Sequence, residues 1–155
     1  SSSSQTIQYA TSNGTATAGS DYTATNGTLT FSAGDQSETF TVAISDDSLD
    51  ENNETVTITL SNPSIGSITG GTGTLTITDN DSAPTLSIND VSTTNESNTA
   101  TSLTVTLSAV SAKDVTVDFT TAWPGGLPTA ADAGIDYTAT NGTLTISAGD
   151  TTGTI

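Results

Sequence analysis

Along the chain, apolar side chains recur at every second position in short runs and nowhere at helical spacing. Ile7 and Tyr9, Leu29 and Phe31, Phe40 with Val42 and Ile44, Val56 with Ile58 and Leu60, and Leu75 and Ile77 each alternate with polar residues, most often Thr. Successive side chains of a strand point to opposite faces, so a period of two predicts half-buried β-strands with these residues inward. The pattern resumes at Leu86 and Ile88, at Leu103, Val105 and Leu107, and at Val115, Val117 and Phe119. Thr suits the outward positions because its branched Cβ packs well on a pleated surface. Gly, Asn or Asp separates most of the runs, as turns require. Many short strands without a helical stretch predict an all-β fold, an antiparallel immunoglobulin-like β-sandwich.

The chain also repeats itself. Residues 21–35, Asp-Tyr-Thr-Ala-Thr-Asn-Gly-Thr-Leu-Thr-Phe-Ser-Ala-Gly-Asp, recur at 136–150 with only Phe31 changed to Ile146. Tyr9 aligns with Phe119 at an offset of 110 and Asp21 with Asp136 at an offset of 115, which places a five-residue insertion within Trp123–Pro128. A tandem array follows. The stretch Asp79-Asn80-Asp81-Ser82-Ala83-Pro84 interrupts the alternation, and Pro84 disfavours continuation of a strand. The expected organisation is a first repeat over 1–81 lacking its first strands, a linker at 82–84, and a second repeat over 85–155 lacking its last strands.

Between two of the predicted strands lies Asp46-Asp47-Ser48-Leu49-Asp50-Glu51-Asn52-Asn53-Glu54, five carboxylates in nine residues with no cation beside them. Like charges this dense repel unless something positive neutralises them. Carboxylate oxygens converging on a loop suit Ca2+, a hard cation that takes about six to eight oxygen ligands in flexible geometry. A solvated turn is the competing reading, since Asp and Asn favour turns for backbone reasons. Asp35 and Asp150, each after Ala-Gly, read as ordinary turn residues, and Tyr22 and Tyr137 as packing residues with a hydroxyl to satisfy. Trp123 sits in a Pro/Gly stretch, as an exposed tip or a folded-back lid.

Charge narrows the partners. Of 155 residues 17 are acidic and one, Lys113, is basic, for a net charge of −16. Nucleic acid and anionic membrane surfaces both recruit Lys and Arg, so neither is an expected partner. Cations, or surfaces bridged by cations, are. With no Cys there is no disulfide, and bound metal is the remaining candidate staple. No apolar run approaches the length of a membrane span, and no signal peptide is seen, so the chain reads as a soluble, processed or excised segment. With no His, Cys or Arg, the usual nucleophile and base pairs are poorly supplied, and an enzyme is not expected.

On these motifs, Gly19-Ser20-Asp21-Tyr22, Gly27-Thr28-Leu29-Thr30-Phe31, Asp46-Asp47 followed by Asp50-Glu51 and Glu54-Thr55, and Asp79-Asn80-Asp81, the chain resembles the Calx-beta family. That family comprises calcium-binding β-sandwiches found in sodium/calcium exchangers, integrin β4 and long bacterial surface proteins. The resemblance implies Ca2+ at one end of the sandwich. Carried over by position, it implies Asp21, Asp46, Asp47, Glu51, Glu54, Asp79 and Asp81 as ligands in the first repeat, and Glu96 and Asp136 in the second, which has no counterpart of the 46–54 loop. The leading expectation is a structural calcium-binding repeat of an extracellular adhesin, fibre or surface filament, with Ca2+ stiffening loops and joints between repeats. Its partners would be neighbouring repeats or copies of itself, head to tail, by strand complementation. The alternative is a calcium sensor or ligand-binding module of a larger cell-surface protein.

Overall fold

The computed structural model describes residues 3–93, 100–122, 131 and 133–155. Within them are nine strands and no helix: β1 (Gln5–Asn13), β2 (Asn26–Phe31), β3 (Glu54–Ser61), β4 (Thr72–Ile77), β5 (Leu86–Ile88), β6 (Thr104–Leu107), β7 (Val115–Thr120), β8 (Asn141–Ile146) and β9 (Thr152–Thr154). Every ladder between them is antiparallel. The chain divides into two units, Ser1–Ser48 with Asn52–Asn80, and Leu49–Glu51 with Asp81–Ile155.

In the first unit the sheet order is β2-β1-β3-β4. The register sets Tyr9 opposite both Gly27 and Leu60, and Val56 opposite Leu75, so the apolar members of adjacent strands share one face. Ala16, Tyr22 and Val56 form the buried centre, with Val42, Leu75 and Ile77 packed against it. Phe40 stacks on Tyr9, ring centroids 4.0 Å apart. In the second unit the sheets β5-β6-β9 and β7-β8 enclose Val105, Leu107 and Ile146, with Val115, Val117, Leu144 and Ile155 around them. The fold is an all-β antiparallel sandwich of immunoglobulin-like type.

Three of the inward positions predicted from alternation are corrected. Ile44, Leu86 and Ile88 are exposed, the last two at 41% and 58%. Alternation fixes which residues share a face, but burial needs a second layer over that face, and among the described residues β5 has none. The predicted strand through Phe40, Val42 and Ile44 is likewise absent as a ladder element. Among the described residues its only pairing is a bridge between Ile44 and Tyr22, with Thr23 donating to the Ala43 carbonyl at 2.9 Å and Ser45 N–H to the Asp21 carbonyl at 3.0 Å. Phe40 and Val42 hold their half-buried places by side-chain packing alone.

The repeated turns are built alike. The Asp35 carboxylate accepts the Ser32 N–H at 3.0 Å, and Asp35 and Asp150 each donate their own N–H to the carbonyl three residues before, at 3.0 Å. Gly34 and Gly149, at φ 100° and 88°, take the left-handed conformation each turn needs.

Candidate metal centre

Asp21 is held by the turn that precedes it. Its N–H donates to the Thr17 carbonyl at 3.0 Å, and its carboxylate Oδ2 accepts the Thr17 N–H at 2.6 Å. That backbone hydrogen bond, with smaller help from Ser20 and Glu54, holds the Asp21 carboxyl below its ordinary pKa, against the opposing pull of burial. Tyr22 anchors the turn from inside: its ring is buried and its hydroxyl donates to Asn13 Oδ1 at 2.8 Å. It is a packing residue with its hydroxyl satisfied.

Glu54 begins β3, and the start of that strand is tied to the loop carrying Asp21. The Gly14 and Ala16 N–H groups both donate to the Thr55 carbonyl, at 3.1 and 3.0 Å, and Thr55 N–H donates to Thr15 Oγ1 at 2.8 Å. A Cβ on residue 14 would lie 2.5 Å from the Thr55 carbonyl oxygen, so this close approach requires glycine. The result is that one carboxylate oxygen from each of Asp21, Glu51 and Glu54 lies within 4.8 Å of the others, all three half-buried. An all-oxygen, all-anionic donor set of this kind matches the chemistry of a hard divalent cation.

The other candidate ligands fall outside that triad. Asp46 Oδ1 accepts from Asn80 Nδ2 at 3.5 Å, and the Asp79 N–H donates to Asn53 Oδ1 at 3.1 Å, so the closing acidic motif lies against the acidic loop. Asp47 is exposed, and Asp79 and Asp81 are half-buried. Asp136 occupies the second copy of the Asp21 turn, where Gly134 N–H donates to the Tyr137 carbonyl at 2.8 Å, as Gly19 does to Tyr22 at 2.9 Å. Glu96 and Trp123 lie outside the described residues.

One expectation about the acidic loop is corrected outright. The five carboxylates have no cation beside them in the sequence, yet in the fold Lys113 forms an ion pair with Asp50 and donates to the Glu51 carbonyl at 3.1 Å. Asp50 is only 5% exposed, and Ser111 Oγ donates to its Oδ2 at 2.9 Å. The hydrogen bond from Lys113, first, and that from Ser111 hold the Asp50 carboxyl below its ordinary pKa. The missed signal was the scarcity of bases itself: a lone Lys among 17 acids is drawn to the densest of them. Ser111 carried no such signal.

A β-sandwich with an acidic cluster built from a tight turn and an interstrand loop defines a class of candidate cation-binding modules. The chain belongs to the Calx-beta domain family, whose sequence model matches it twice, over residues 1–81 and 79–155. Among solved structures it is similar to the calcium binding domain CBD12 of CALX1.1, with 25% identity and a TM-score of 0.51 over 99% of this chain and 62% of that one. It is also similar to CBD12 from CALX1.2, with 21% identity and a TM-score of 0.50, again over 99% and 62%. The apo form of the Calx CBD1 domain is 34% identical over 52% of this chain and 73% of its own, with a TM-score of 0.49. The chain thus spans 62% of the length of the two CBD12 structures. No curated protein matches it.

Proposed function

We propose that this chain is a tandem calcium-binding module in which Asp21, Glu51 and Glu54 hold a Ca2+ ion at one end of the first sandwich. The observation that carries this reading is the convergence of those three carboxylates within 4.8 Å. Membership of the Calx-beta family, and similarity to a structure described as a calcium binding domain, point the same way. Asp46, Asp47, Asp79 and Asp81, from the same loop and the closing motif, are the remaining oxygen donors in reach of the sequence, and the ordinary demand for about six to eight oxygens exceeds what three side chains supply.

Of the two roles open to such a module, the calcium-responsive one has more support than the adhesin or filament repeat. The similarity runs to tandem calcium-binding domains across nearly the whole chain, and both roles place the module within a larger protein. Calorimetric titration tests the reading. Ca2+ should bind the intact chain and raise its melting temperature, by about 2.7 kcal/mol of added stability at a hundredfold excess over Kd. The same titration of a chain carrying Asp21→Asn, Glu51→Gln and Glu54→Gln should show no such binding. Equal binding by the two proteins would overturn the assignment.

A further inference from the structure

We propose that Asn13, a residue outside the carboxylate triad, is the positioning residue that places Asp21 within it and so sets Ca2+ affinity, a role that rests on the calcium-binding reading above. Asn13 ends β1 on the face that carries Ile7 and Tyr9, opposite Val56 of β3. Alternation calls for an apolar side chain at that register position, and a polar one there needs partners. It has two: its Oδ1 accepts the Tyr22 hydroxyl at 2.8 Å and the Ala18 N–H at 3.0 Å. A backbone N–H can only donate, so the amide oxygen, with its two lone pairs, is the atom that faces the turn.

Those two contacts grip the turn at both ends. Ala18 and Tyr22 form a bridge around Gly19, Ser20 and Asp21, closed by the Gly19 N–H on the Tyr22 carbonyl at 2.9 Å. Asn13 thus ties the segment carrying Asp21 to the end of β1, one residue before Gly14 and three before Ala16, whose N–H groups hold the Thr55 carbonyl beside Glu54. The second repeat separates making the turn from placing it. Ala133 and Tyr137 form the same bridge, and Gly134 N–H meets the Tyr137 carbonyl at 2.8 Å, yet no Asn occurs between Phe119 and Thr140. The turn therefore closes without this amide, and what Asn13 adds in the first repeat is position.

Position matters here because the donors resist being gathered. With no ion bound, carboxylate oxygens within 4.8 Å of one another repel, and that repulsion pushes the Asp21 turn away from Glu51 and Glu54. The Asn13 hydrogen bonds oppose it. A contact that holds ligands together before the ion arrives removes their ordering from the binding step. Losing a hydrogen-bonding support of metal ligands typically lowers metal affinity about ten- to hundredfold.

Calorimetric titration of the intact chain with Ca2+ tests this, with circular dichroism in chelator showing that each variant is fully folded at the titration temperature. Under that condition general stability does not enter the measured Kd, so a loss of affinity reports placement. Asn13→Leu, which keeps the bulk of the side chain and removes the acceptor, should weaken binding about ten- to hundredfold. Asn13→Asp keeps an oxygen for both donors and should bind at least as tightly as the parent. Tyr22→Phe keeps the buried ring, removes one of the two donors and should weaken binding several-fold; it decides alone if Asn13→Leu does not fold. Parental affinity in Asn13→Leu or in Tyr22→Phe, or a loss in Asn13→Asp as large as that in Asn13→Leu, overturns the role of Asn13 and leaves the calcium reading standing. A parent chain that binds no Ca2+, or binding unchanged by Asp21→Asn, Glu51→Gln and Glu54→Gln together, overturns that reading and the role of Asn13 with it.

Discussion

Lys113 closes its ammonium on one carboxylate oxygen of Asp50 while the Ser111 hydroxyl donates to the other. This is the chain's sole basic residue set against a carboxylate that is almost wholly buried. Removing one partner of such a pair strands the other charge, whereas removing both does not. Lys113→Met should therefore lower the melting temperature by several degrees, and the double variant Lys113→Met/Asp50→Asn should recover most of the loss. Thermal melts of the three proteins in chelator check this, and a double variant no better than the single would contradict it.

The same pair sets a pH dependence. The Asp50 carboxyl titrates below its ordinary value of 3.8 in the folded chain, chiefly through the Lys113 hydrogen bond. A depressed folded pKa contributes stability that is present above the unfolded value and is lost as pH falls through the folded one. The stability difference between the parent chain and Asp50→Asn, measured in chelator, should hold steady from neutral pH to about pH 5 and shrink below pH 3.8. Comparison of the two proteins at each pH cancels the general repulsion among the other carboxylates.

Glu54→Gln should change sign with calcium. In chelator the substitution relieves crowding among three carboxylates, so the melting temperature should stay level or rise. In millimolar Ca2+ it should fall behind the parent, and Ca2+ affinity should drop at least about tenfold, which is about 1.4 kcal/mol. A parallel fall in both conditions would make Glu54 a merely structural residue.

Aromatic rings lie over glycines in both repeats: Tyr9 is opposite Gly27, and Phe119 is opposite Gly142. A Cβ would meet the Tyr9 hydroxyl oxygen at 2.8 Å in the first case and the Phe119 ring at 3.0 Å in the second. Gly27→Ala and Gly142→Ala should each cost roughly 1–3 kcal/mol, the usual penalty for overpacking. Denaturant titration of each variant measures it, and a loss under about 0.5 kcal/mol at both sites would show that the rings move aside freely.

The strand pattern was legible because burial on one face writes itself as alternation, and Val56, Val105, Leu107 and their neighbours obey it. Leu86 and Ile88 alternate just as well and stay exposed, since the opposing layer is a tertiary fact that local sequence does not carry. Val56→Ala should accordingly cost about 2 kcal/mol and Leu86→Ala less than about 1, by chemical denaturation. In the candidate site, the acidic residues were visible as composition, but which three converge was not. That selection depends on Gly14 approaching Thr55 and on the Thr17 turn, contacts between positions some 40 residues apart for the first and four for the second.

A chain with one Lys and no Arg offers trypsin a single bond, between Lys113 and Asp114. Lys113 is also the residue bound to Asp50 and to the Glu51 carbonyl. For the folded protein, then, proteolysis is a one-site clock: the cut separates β6 from β7, yields two fragments, and advances only as fast as that ammonium leaves its carboxylate.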